Sequence, residues 1–148
     1  MKTYSAIMTL AVGMMVLAAP LAGHHSISGK YDLNKPIFMD GKVTMVQWRN
    51  PHVVVVMNVT DKTSGVVSWE IELASVKDLT DFGWKPDTLR TGMEICVEGF
   101  PAKDGRHEFV SSTRLTIKST GDVLSNIGRL WLTPVYNGKD SCSNRGSR

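Results

Sequence analysis

The side chains best suited to chemistry in this chain are its four histidines, His24, His25, His52 and His107. His24 and His25 fall where an export signal would be cut, so one of them stands at or beside a new N-terminus. A free α-amino group next to an imidazole is a chelating pair for a transition metal. The amine has an unperturbed pKa near ~8, so a metal displaces its proton at neutral pH. Copper(II) favours tetragonal nitrogen donors and heads the divalent affinity series. With His24 first, its amine and one ring nitrogen form a bidentate chelate, and a second imidazole completes three nitrogens. His52 is the leading candidate for that imidazole, because the rigid Asn50-Pro51 corner holds it at a strand start; His25 and His107 are weaker ones. With Gly23 first, His25 takes the third position. The amine, two deprotonated amides and that imidazole then make a square-planar site for copper or nickel. A bland account stands beside this one. Polar residues are ordinary just after a signal cut, His52 can hydrogen-bond at a strand end, and His107 follows the charged turn Lys103 to Arg106.

Other chemistry is thinly represented. Ser26, His52 and Asp61 are hydrolase-type side chains, but no nucleophile elbow or linked acid–base motif frames them. Glu70 and Glu72 share one strand face, as do Glu94 and Glu98, and alternation makes a solvated face the default for both pairs. There is no glycine-rich phosphate loop, so the reading leans away from an enzyme, with a copper redox enzyme as the residual case. The rival class is a binding module without metal. Trp48, Asn50 and Trp84, near element ends, are its candidate surface, whereas Trp69 shares a face with Ile71 and Leu73 and reads as core. Its ligand would be a small apolar molecule, an envelope glycan or a protein partner. The formal charge is only +3, and Lys and Arg do not cluster with aromatics, which excludes a nucleic-acid footprint.

The elements that must position these residues begin with an export signal. Lys2 precedes an apolar run from Ile7 to Ala19, and Pro20 to Gly23 supplies small residues before the polar His24-His25-Ser26. The run is shorter than the ~20 residues a membrane-spanning helix needs, so no span is expected after processing. Residues 1–23 are therefore expected to be a cleaved signal peptide, with His24 first, leading to the periplasm or the exterior. Cleavage one residue earlier would leave Gly23 first. An oxidising compartment permits a bridge between the only two cysteines, Cys96 and Cys142.

Residues 24–118 alternate in the manner of short strands. Phe38 to Arg49 reads as a half-buried strand, with Gly41 marking a bulge or bend. His52 to Thr60 follows the Asn50-Pro51 break, and its four successive valines suit a strand buried on both faces. Asp61 to Gly65 is a polar turn, after which Val67, Trp69, Ile71 and Leu73 line one side of a third strand. The period then changes: Ser75 caps a short helix carrying Val76, Leu79 and Phe82. Met93, Ile95 and Val97, then a turn with Asp104-Gly105, then Glu108 to Lys118 supply two more strands. The predicted fold is thus all-β with one short helix, in the element order of a five-stranded OB-type barrel. Residues 119–148 read as an extension. Val123, Leu124, Ile127, Leu130 and Trp131 suit one weakly amphipathic turn, and the Gly-, Ser- and Asn-rich stretch from Asn137 has too little apolar content to order itself.

Several of these residues together resemble a known family. They are His24-His25-Ser26, Lys35-Pro36, Gly41-Lys42-Val43, Trp48-Arg49-Asn50-Pro51-His52, Gly83-Trp84, Val97-Glu98-Gly99-Phe100 and Ala102-Lys103-Asp104-Gly105. The set is similar to an uncharacterised family of small exported bacterial proteins, a domain of unknown function, OB-like in outline. Ile27 stands where that pattern has an aromatic, and the chain after Thr120 runs beyond it. The resemblance implies fold and compartment, and brings no activity.

Overall fold

The structure is a computed structural model describing residues 27–125 and Cys142, apart from the side chains at 109–113 and 125. The expected signal segment, His24 and His25 lie outside the described residues, as does most of the expected extension. A single helical turn, α1 (Ile27–Lys30), leads into three strands, β1 (Ile37–Gln47), β2 (Val54–Asp61) and β3 (Gly65–Glu72). A short helix α2 (Val76–Asp81) follows, then β4 (Glu94–Pro101), β5 (Glu108–Ile117) and β6 (Val123–Ser125).

The strands form one sheet in the order β3-β2-β1-β4-β5-β6, and every neighbouring pair is antiparallel. A short parallel contact also sets Glu70, Ile71 and Glu72 of β3 against Glu108, Phe109 and Val110 of β5. Five strands and one helix were expected; six and two are present among the described residues. The additions are too short to carry a period: α1 has four residues and β6 has three. The stretch expected to turn helically at Val123 and Leu124 instead pairs with Thr116 and Leu115.

Alternation explains the core. Val43, Val55, Met57, Ile71, Ile95, Val97 and Leu115 are buried on the inner face, and Leu79 of α2 joins them. The valine run does not bury evenly: Val53 and Val55 are buried, Val54 and Val56 only partly. Gly41 pairs regularly with Ile95, and the irregularity in β1 falls later, between Val43 and Met45. Glycine is needed at 41 for another reason. A Cβ there would lie 2.8 Å from Met57 Sδ and 2.9 Å from the Asn58 carbonyl oxygen.

Helix α2 begins as its sequence dictates, with the Ser75 hydroxyl accepting from the Asp78 amide at 3.1 Å. It ends in a Schellman arrangement. Gly83, at φ +83°, donates to Thr80, and the Trp84 amide donates to the Leu79 carbonyl at 3.0 Å. That reversal carries the Trp84 ring into the core, where it is 4 % exposed. Trp84 is therefore not the surface platform expected from its place near a helix end. Finally, Cys96 of β4 is bridged to Cys142, 46 residues further on.

Candidate functional site

One carboxylate organises the richest polar cluster among the described residues. Glu72 closes β3 and faces back across the start of β2, where backbone bonds of Val53 to Leu73 and Ala74 fix the strand ends. Its Oε1 lies 3.0 Å from His52 Nδ1, and its Oε2 accepts the Tyr31 hydroxyl at 2.7 Å. Lys30 Nζ sits 3.6 Å from the same Oε2 and 2.5 Å from Glu108 Oε2. Arg106 then links Glu108 Oε1 at 2.8 Å to Asp104 Oδ2 at 2.7 Å. The chain of opposite charges runs from the leading segment, across the end of β3, to the β4–β5 turn.

The leading segment is held there by backbone as well. Tyr31 pairs with Ala102, Asp32 donates to the Pro101 carbonyl at 2.9 Å, and the Lys103 amide donates to Lys30 at 3.0 Å. Lys103 Nζ also reaches the Ser28 carbonyl at 2.7 Å. Tyr31 is 1 % exposed and packs with Phe100 and Ala102, so this strap has a small apolar anchor of its own. Burial pushes the Tyr31 hydroxyl pKa above its usual range, and acceptance by Glu72 adds to that. Burial alone would lower the Lys30 ammonium pKa. Its bonds to Glu108 and Tyr31 prevail and hold it above the usual lysine value.

Of the expected site residues, only His52 is in this cluster. Asn50 is exposed, its peptide bond to Pro51 is cis, and Trp48 is half-buried against the core. With Trp84 inside, these three do not make a shared platform. Trp69, expected in the core, is half-buried and lies against the exposed His107 ring, with centroids 5.0 Å apart. Among the described residues no group of three or more His, Cys, Asp and Glu side chains is placed to hold a metal. A cleft of about 340 Å³ lined by Asp40, Lys42, Asn58, Glu94 and Lys118, among others, contains none of the expected residues.

Glu72, Tyr31 and Glu108 carry no signal in the sequence that marks them as a cluster. Glu72 was assigned to a solvated face because it alternates with Ile71 and Leu73, and periodicity cannot register a hydroxyl 41 residues away. Glu98 was placed outward on the same logic. It does lie off the core face, yet it is 3 % exposed, and its Oε1 accepts the Cys142 amide at 2.8 Å.

Fold and cluster together define a small, β-rich single-sheet domain with a leading strap and a carboxylate-centred polar face. The chain belongs to DUF6152, a family of unknown function, whose model matches residues 12–111. No curated protein matches it.

Proposed function

We propose that this chain is an exported binding protein that captures copper(II) with the amine and imidazole of a mature N-terminal His24 and the imidazole of His52. The observation that carries this reading is the double use of Glu72, which engages both His52 and the strap residue Tyr31. His24 precedes Ile27, the first residue of the strap, by three peptide links, a tether of at most about 11 Å. A carboxylate on one ring nitrogen is the usual partner of a metal-bound histidine. It fixes the tautomer and raises the basicity of the other nitrogen, here Nε2. His25 is the reserve ligand in this scheme, and becomes the principal one if Gly23 leads.

The scaffold in this proposal is an OB-type barrel, with the short β3–β5 parallel contact as its seam. Its compartment is the periplasm or the exterior, reached by cleavage of residues 1–23.

The test is a copper(II) titration followed by electron paramagnetic resonance. The protein should be exported and processed by a bacterial host, with its N-terminus fixed by mass spectrometry. One tight, nitrogen-rich one-to-one signal is expected, lost in His24→Ala, weakened in His52→Ala and unchanged in His107→Ala. Weak binding at many sites, indifferent to His24, would remove the metal and leave a barrel that binds a protein or small ligand of the envelope.

A further inference from the structure

Apart from the Glu72 cluster, the cleft of about 340 Å³ opens on β1, β2 and the start of β4. Small-molecule sites commonly enclose roughly 300–1,000 Å³. Gly41 is part of its floor, where β1 runs tight against Met57 and Asn58. Its walls hold two ammonium groups, Lys42 and Lys118, two carboxylates, Asp40 and Glu94, the Asn58 amide and the Thr60 hydroxyl. Polar residues on an outer strand face are ordinary, but the sharing of these four charges is not. Glu94 stands in register with Lys42 of β1, and its carbonyl accepts the Lys118 amide at 2.9 Å, so it has a lysine on either side. Opposite charges so placed across a ladder attract and commonly pair. Lys118 Nζ instead lies 3.1 Å from Asp40 Oδ1, with both side chains half-buried. Glu94 and Lys42 are exposed, and among the described residues neither side chain has an ion pair or hydrogen bond.

We propose that this cleft binds a small zwitterion of the α-amino-acid class, with Glu94 taking its ammonium and Lys42 its carboxylate. The walls carry two positive and two negative charges, which decides against simpler ligands. A lone anion drawn to Lys42 meets Glu94 and Asp40, and a lone cation drawn to Glu94 meets two lysines. A molecule with both charges a few bonds apart engages each free group and leaves the Asp40–Lys118 pair intact. Asn58, opposite Lys42 on β2, adds an amide donor at the carboxylate end. Among the described residues no aromatic ring lines the cleft, so a ligand that binds by stacking finds no face there. The site shares no residue with the Glu72 cluster and needs no metal.

Free α-amino acids, titrated singly into the exported and processed protein, test this by nuclear magnetic resonance of the backbone amides. A chelator is present throughout, so that no copper bridges ligand and protein. At least one amino acid is expected to saturate, moving the amides of Lys42, Asn58 and Glu94 together. Its N-acetyl and carboxamide derivatives each lack one charge and should bind at least about tenfold more weakly, as loss of one charge-assisted bond implies. Lys42→Gln and Glu94→Gln should each lose affinity to the same extent. Their urea midpoints should stay unchanged, because both side chains are exposed. Equal binding of the capped derivatives would overturn the proposal, since the cleft would then not read paired charge. So would saturation indifferent to both substitutions, or amides at these positions that no amino acid moves.

Discussion

At Gly41 the backbone of β1 passes so close to β2 that one methyl group has nowhere to go. The Cβ of Gly41→Ala would meet Met57 Sδ and a backbone carbonyl, and only the sulfur can yield. The expected cost is about 1–3 kcal/mol in urea denaturation, as for other overpacked sites. Glycine inside a strand signalled something special in the sequence, but not which something: the cause is close approach, and the bulge lies elsewhere in β1. Glu72 is the reverse case, a residue that alternation made ordinary and tertiary contact made central. Under the copper proposal, Glu72→Gln should weaken copper(II) affinity about 10- to 100-fold while leaving His24 in place, as loss of an orienting carboxylate does elsewhere. Tyr31 supplies a separate check. Its pKa is raised above the ordinary value of 10, so the stability it lends is fully present below that pH and is lost as pH rises through its higher folded value. An ultraviolet titration should show a late tyrosinate phase that vanishes in Tyr31→Phe.

Among the elements, those with a clear period or a clear cap were legible. Ser75 announced α2, and the paired register of β2 with β3 follows from the Asp61 to Gly65 turn. That turn is tied by Asp61 Oδ1, which accepts the Thr63 hydroxyl and the amides of Thr63 and Ser64. These bonds, the Thr63 hydroxyl foremost, lower the Asp61 pKa to about 2. The sign follows: the folded pKa lies below the unfolded 3.8, so the turn keeps its support down to pH 4 and loses it as pH falls through about 2. Chemical shifts of the Thr63 and Ser64 amides, followed from pH 5 to pH 1.5, should move with that midpoint. A midpoint near 4 would mean that the turn is not tied in this way. The elements that escaped prediction, α1 and β6, are too short to repeat a period. They exist because of what they touch: α1 leads into buried Tyr31, and β6 adds to an edge that β5 already offers.

For the molecule as a whole, the Cys96–Cys142 bridge closes a loop across a separation of 46 residues. Closing a loop of that length in the unfolded chain is worth about 4 kcal/mol in the chain-entropy account. The double variant C96S/C142S should therefore denature at markedly lower urea with a native-like spectrum beforehand. Equal midpoints for the bridged and unbridged proteins would contradict this. Two cysteines were enough to raise a bridge in the sequence, but nothing in their spacing could tell that it would set the Cys142 amide on Glu98. The all-β character was equally readable from alternation. The site was only half readable, because His52 advertises its chemistry while the charged cluster that continues from its partner Glu72 is drawn from distant stretches of chain.

The short parallel contact between β3 and β5 also bears on the order in which this protein assembles. β1, β2 and β3 form a meander of successive antiparallel partners, whereas the contact must wait for α2, β4 and the β4–β5 turn to be placed. Closing that longer stretch costs more entropy before any contact rewards it. His52 and Glu72 therefore meet early, at the open end of the meander, and Tyr31 arrives only once Ala102 exists to receive it. Stopped-flow folding should see the difference: Val55→Ala slows folding, while Leu115→Ala chiefly speeds unfolding. The two halves of the Glu72 cluster would then be built at different times, the imidazole first and the strap last.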